Sequence, residues 1–196
     1  MLKFDLTTEA VEYLKHQRVL TQKLKHADVE WYSYLLFHFI AHQIKPYLTP
    51  GSKCLDIGSG LGLVNYFLKD VYDEIWLYDK TIPVEELTST FYGFHKDYCF
   101  YNNLEIAKQI NPDFNITESL NFAPQSFDMI HSHMSWCWHY PKDTYYEQVK
   151  TLLKPNGILI VDVLTDEQYA FPEFEVLAEL ENREAESIKY VLKYKN

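Results

Sequence analysis

Cys54-Leu55-Asp56-Ile57-Gly58-Ser59-Gly60-Leu61-Gly62 is the stretch on which the reading of this chain turns. A short apolar run carrying one carboxylate meets glycines at alternate positions, and Leu61 to Lys69 continues with helical character. Glycines between a strand and a helix let the backbone bend sharply and let another group lie against the main chain, where a side chain would collide. The spacing is G-x-G-x-G. It departs from the G-x-G-x-x-G of nicotinamide-binding folds, whose third glycine supports helix packing under a pyrophosphate.

Downstream, Ile75-Trp76-Leu77-Tyr78-Asp79 reads as a second strand ending in a carboxylate. Asp79 is placed to accept hydrogen bonds from both ribose hydroxyls of an adenosine-containing ligand. Short apolar runs and helical stretches continue to alternate, the rhythm of βαβ units. Strands are expected at 53–57, 74–78, 114–117, 127–132 and 158–163, with helices at 61–69, 103–110 and 144–153. The chain passes from the last helix to the last of these strands through Lys154-Pro155-Asn156-Gly157. Residues 174–180 and 188–194 alternate apolar and polar with the two-residue period of strands, and the polar segment between them predicts a hairpin. Before the glycine turn, helical spacing over 8–25 and 29–45 predicts two helices, the second stopped by Pro46. The expected fold is α/β, a Rossmann-like doubly wound three-layer sandwich, mostly parallel with a C-terminal antiparallel hairpin. Residues 1–45 form a helical extension packed on the domain made by 46–196.

The 196 residues suffice for one such domain, and 47% hydrophobic with 23% charged residues is a globular composition. No stretch reaches the roughly 20 apolar residues of a membrane helix, and Met1 to Asp5 carries no signal-like block, so a cytoplasmic location is expected. Cys54, Cys99 and Cys137 are odd in number and widely spaced, which makes no disulfide framework. A formal net charge of -10 disfavours nucleic acid and other polyanionic partners, which call for a basic surface.

The stretches Leu55 to Gly62, Ile75 to Asp79, Phe127 to Ser132 and Leu152 to Leu159 together resemble the class I S-adenosylmethionine-dependent methyltransferase family, over Pro46 to the C-terminus. Asn156 stands where that family commonly has a glycine, a mild change because asparagine tolerates turn geometries. The resemblance implies S-adenosylmethionine as cofactor. Asp56 and the turn Gly58, Ser59, Gly60, Gly62 would hold its methionine part and Asp79 its ribose. Glu118 and Ser119 would stand by adenine, with Ser132 at the end of the fourth strand also on the cofactor. Tyr101 to Leu104 and Ser135 to Pro141 are similar to bacterial methyltransferases usually assigned to sugars.

Ligands of such sheets lie at the carboxyl ends of the strands, so His131 to Pro141, read as a loop, should face the methyl group. Methyl transfer is an in-line displacement that mainly requires alignment and exclusion of water. Trp136, Trp138 and Tyr140 could shape a dry acceptor pocket, or simply pack. For a hydroxyl acceptor, His139 is the first candidate for general base and His133 the second, with His95 a further pocket residue. The spacing of His131, His133, Cys137 and His139 matches no closed zinc pattern, so no metal is expected. The aromatic insertion at 83–101 reads equally as a lid or as a plug over the sheet. The function expected is transfer of a methyl group to a small-molecule hydroxyl, with nitrogen or protein acceptors and a non-catalytic cofactor-binding module as rivals.

Overall fold

A computed structural model describes residues 4–17, 24–80, 104–165, 167, 170–182 and 186–195. Five parallel strands form its centre: β1 (Gly51–Ile57), β2 (Tyr72–Tyr78), β3 (Asn115–Thr117), β4 (Phe127–Ser132) and β6 (Leu153–Leu164). The C-terminal strands β7 (Phe174–Asn182) and β8 (Ser187–Tyr194) complete a seven-stranded sheet of order β3-β2-β1-β4-β6-β8-β7. The expected hairpin is present, and its second strand, β8, is the one that joins β6, antiparallel. β7 is left at the edge, where Glu175, Glu179 and Glu181 discourage further pairing. β1 lies between β2 and β4, so the chain reverses its winding there, and the crevice at the carboxyl ends opens beside the glycine turn.

Both faces of the sheet are covered, as alternation along the strands requires. Cys54, Ile75, Leu77, Met129, Ile158, Ile160 and Val191 face one layer, with α2 (His26–Ile44), α3 (Leu63–Tyr66) and α4 (Leu104–Ile110) packed on it. Leu55, Ile57, Ile130, Leu159, Val161 and Leu192 face the other, against α5 (Tyr146–Leu152), Trp136 and Phe171. The helix α1 (Thr8–Gln17) packs through Ala10, Val11 and Leu14 with Val29 of α2, Leu61, Leu63 and Ile106. No helix among the described residues is long and apolar enough to cross a membrane.

Several boundaries move for local reasons. The helix expected over 61–69 shortens to α3, because Gly62 starts it in a left-handed conformation without a side-chain cap, and Phe67, Leu68 and Val71 already donate to carbonyls three residues back. Asn156 takes the left-handed position itself, with φ 63°, and the β4–β6 register shifts between Phe127 and Met129, where the strand passes Lys154 to Gly157. The largest correction concerns the loop expected over His131 to Pro141. Its greater part is a strand, β5 (Ser135–Tyr140), lying against β6 outside the seven-strand order. The stretch 83–101, with His95, and residues 18–23 of the first expected helix lie outside the described residues.

Candidate active site

The glycine turn closes on the chain itself. Gly58, Gly60 and Gly62 have φ of 70°, 52° and 66°, the left-handed region open to glycine at little cost. The amides of Gly58 and Ser59 both donate to the Tyr78 carbonyl, that of Gly60 to the Asp79 carboxylate, and that of Gly62 to the Ser59 carbonyl. A phosphate cradle needs such amides turned outward; here they are spent inside the fold, which suits a ligand without phosphate. The close approach at Gly58 comes from Ser135, since a Cβ there would lie 1.8 Å from Ser135 Oγ, and one at Gly62 would lie 2.7 Å from Leu77 Cδ1. Gly58→Ala should therefore cost about 2–4 kcal/mol from overlap and backbone strain together, read by thermal unfolding. Ser135→Gly in the same chain should recover the overlap part; a Gly58→Ala protein melting like the wild type would show the contact to be loose.

Asp79 ends β2 at the mouth of this turn. Its Oδ2 accepts from the Gly60 amide at 2.9 Å and Oδ1 from the Lys80 amide at 2.8 Å. Burial raises its pKa to about 6 against the pull of these two donors, and the charge of Glu118 pushes the same way. Glu118 is thus within electrostatic reach of Asp79, exposed with Ser119 just past β3, and Thr117 Oγ1 accepts from the Ser119 amide at 3.0 Å. Ser59 contributes a buried hydroxyl with no hydrogen-bond partner among the described residues, inside the turn.

Asp56 sits beneath the turn. Only 4% exposed, its Oδ2 accepts from the Asn65 amide at 2.6 Å, and burial raises its pKa well above the carboxylate range. Asn65 Oδ1 and His131 Nε2 are 2.9 Å apart, a hydrogen bond whose direction is set by the tautomer of the ring. The His131 ring lies 4.8 Å from that of His133. Beyond it, Lys189 on β8 bonds both His133 Nδ1, at 2.9 Å, and Asp162 Oδ1 on β6. This line of buried polar groups crosses β1, α3, β4, β6 and β8 on one face of the sheet. Sequence reading missed Asn65, Asp162 and Lys189. Asp162 inside Ile160-Val161-Asp162-Val163 was the available signal, a carboxylate in a strand otherwise apolar on both faces. Lys189 was hidden by the expectation that Ile188 and Tyr190 form the buried face; instead Lys189 is 1% exposed and those two are half-buried.

The β4–β5 segment places two expected site residues in the interior. Ser132 is fully buried, donating to the Ile57 carbonyl at 2.7 Å and accepting from the Trp136 amide at 2.9 Å. Its hydroxyl pins two strand ends. Trp136 is also fully buried, its indole N–H on the Lys142 carbonyl and its ring against Tyr145, the packing that was the other reading of this ring. Met134 and Cys137 adopt φ of 53° and 62°, unusual for side chains with a Cβ. The left-handed Cys137 breaks the alternation, so that Trp136 and Cys137 are both buried, Trp138 and Tyr140 are half-buried, and His139 is 8% exposed. The His139 ring lies 6.2 Å from that of Trp138. Among the described residues no group of three His, Cys, Asp or Glu side chains is disposed to hold a metal ion.

The strand tips therefore present a buried carboxylate, an orphaned hydroxyl and a turn with its amides already used, a donor and acceptor set that fits a nucleoside carrying an amino-acid tail. Comparison with known proteins points the same way. The profile of the family described as methyltransferase domain matches residues 29–193. No curated protein matches the chain. The fold is shared with a 1,6-didemethyltoxoflavin-N1-methyltransferase of Burkholderia thailandensis, solved with its substrate and S-adenosylhomocysteine bound, at TM-score 0.57 and 14% identity over 100% of this chain and 93% of that one. It is also shared with a protein of Sulfolobus solfataricus assigned to the type 11 methyltransferases, at TM-score 0.56 and 17% identity over 81% and 91%. A SAM-dependent methyltransferase of Aquifex aeolicus aligns at TM-score 0.52 and 12% identity over 79% and 89%. With the methyltransferase-domain profile spanning most of its length on this sheet order, the chain belongs to the class I S-adenosylmethionine-dependent methyltransferase family.

Proposed function

We propose that the protein transfers the methyl group of S-adenosylmethionine to a hydroxyl of a small-molecule acceptor, sugar-like or another metabolite. Asp79 would hold the ribose hydroxyls, Glu118 and Ser119 would stand by adenine, and the Gly58 to Gly62 turn with Ser59 would take the methionine part. The observation that carries this reading is Asp79, a buried carboxylate fixed by the Gly60 amide at the tip of β2. Trp138 and Tyr140, half-buried on β5, would flank the acceptor and exclude water, and His139 would act as general base. The net charge of -10 supports a small acceptor over a polyanionic one.

Calorimetric binding of S-adenosylhomocysteine, followed by a screen for its release from S-adenosylmethionine across hydroxylated metabolites, tests the proposal. Absence of binding would remove it. The toxoflavin-type neighbour, whose name specifies a ring nitrogen, favours a second reading, N-methylation, which needs no base. His139→Ala tests the base: a fall in kcat of about 10²–10⁴-fold is expected for a hydroxyl acceptor, whereas unchanged turnover would remove His139 from that role.

A further inference from the structure

We infer that His133 is a hydrogen-bond donor, through Nε2, to the carboxylate of the cofactor's methionine part, with Lys189 and Asp162 as the positioning residues that hold it in that form. The inference rests on the cofactor reading above and replaces the expectation that His133 serves as a base. Asp162 and Lys189 are directly paired across β6 and β8, with Lys189 Nζ 2.5 Å from Asp162 Oδ1. A lysine ammonium has donors only, so its contact of 2.9 Å with His133 Nδ1 requires a lone pair on that nitrogen. Asp162 Oδ2 lies 3.6 Å from the same nitrogen, too far for a hydrogen bond, and accepts instead from the Met134 amide at 3.0 Å. The ring proton is therefore on Nε2, and a nitrogen already carrying its proton cannot act as a base.

Nε2 is buried and has no hydrogen-bond partner among the described residues, on a side chain 5% exposed. A buried donor left unmade is unfavourable, and an oxygen brought by a ligand would relieve it. Burial, then the charge of Lys189, lowers the ring pKa to about 4, so near neutrality it stays an uncharged donor. The neighbours of His133 on both sides touch the cofactor turn: Ser132 Oγ donates to the Ile57 carbonyl, and Ser135 Oγ fills the space of a Gly58 Cβ. That end of the sheet carries the buried carboxyl groups of Asp56, Asp79 and Asp162, and Lys189 is the one buried lysine or arginine among the described residues. A zwitterionic ligand would place its ammonium among the carboxyl groups, and its carboxylate where the lysine polarises the imidazole.

Two measurements test this. Long-range ¹H–¹⁵N correlation of the histidine rings in the cofactor-free protein should show His133 protonated at Nε2 and bare at Nδ1; an Nδ1-protonated ring or an imidazolium at neutral pH overturns the inference whatever the ligand. Calorimetry then compares S-adenosylhomocysteine with 5′-methylthioadenosine, which lacks the amino-acid tail. His133→Gln, whose amide nitrogen can take the place of Nε2, should bind S-adenosylhomocysteine within about threefold of the wild type, and His133→Asn, whose nitrogen falls short of it, at least about tenfold more weakly. Both should bind 5′-methylthioadenosine like the wild type. Equal S-adenosylhomocysteine affinities in the two variants, or equal losses for both ligands, would overturn the assignment. Failure of the wild type to bind S-adenosylhomocysteine would instead remove the cofactor reading itself, and the ring correlation would still report on the tautomer.

Discussion

Asp79→Ala is expected to weaken S-adenosylhomocysteine binding about 100-fold, the loss of two charge-assisted hydrogen bonds of about 1.5 kcal/mol each. The same change leaves the Gly60 and Lys80 amides without their acceptor, so the turn loosens as the ribose contact goes. Asp79 also dictates a pH dependence. Burial raises its pKa to about 6 from an ordinary carboxylate value near 3.8, so the folded chain holds this proton more tightly than the unfolded chain. On this group's account, stability is greatest below the unfolded value and is lost as pH rises through about 6. Two ribose hydroxyls favour the ionised form, so cofactor binding should release a proton and weaken as pH falls below about 6. Calorimetry in buffers of different ionisation enthalpy measures that proton directly. Affinity independent of pH in the wild type, or equal in Asp79→Ala, would remove Asp79 from the site.

The second large effect is on stability. Lys189→Met should cost about 3–5 kcal/mol, because Asp162, 0% exposed, would be left as a buried charge without its cation. Burial alone would raise the Asp162 pKa, but the Lys189 ammonium brings it down to about 2. A carboxylate so depressed contributes stability above its unfolded value that is lost as pH falls toward 2. In Lys189→Met the lowering influence is gone, burial dominates, and the variant gains relative to wild type in acid. The gap between the two should therefore narrow from neutral pH to about pH 4, read by urea unfolding at each pH. Replacing the pair together, Lys189→Met with Asp162→Leu, should restore most of the loss, since an apolar pair of similar volume carries no desolvation cost. A single variant as stable as the wild type would mean that the pair is not desolvated as its burial implies.

These two sites differ in how far the chain announces them. Gly58, Gly60, Gly62 and Asp79 are legible because their demands are local: a left-handed turn needs glycine, and a strand tip can place a carboxylate. The sheet was legible for the same reason, since alternation and turn residues mark β1, β2, β4, β6 and the hairpin within a few positions. Asn65, His131, His133, Asp162 and Lys189 were not read as one network, being up to 124 positions apart (189 − 65) and joined only when β6 pairs with β8 and α3 folds under the turn. The burial of Trp136 and Cys137 side by side was not legible because the left-handed Cys137 breaks the alternation of β5, and that of Ser132 because it depends on bonds to the Ile57 carbonyl and the Trp136 amide.

What the amino-acid order by itself determined is the layered α/β fold, the glycine turn and the acidic strand tip, all of them consequences of backbone preference and hydrophobic period acting over a few residues. Tertiary structure alone decided which polar groups are buried together, which tautomer a histidine adopts and which indole is core, because those depend on contacts between strands distant in the chain and on the water their pairing removes.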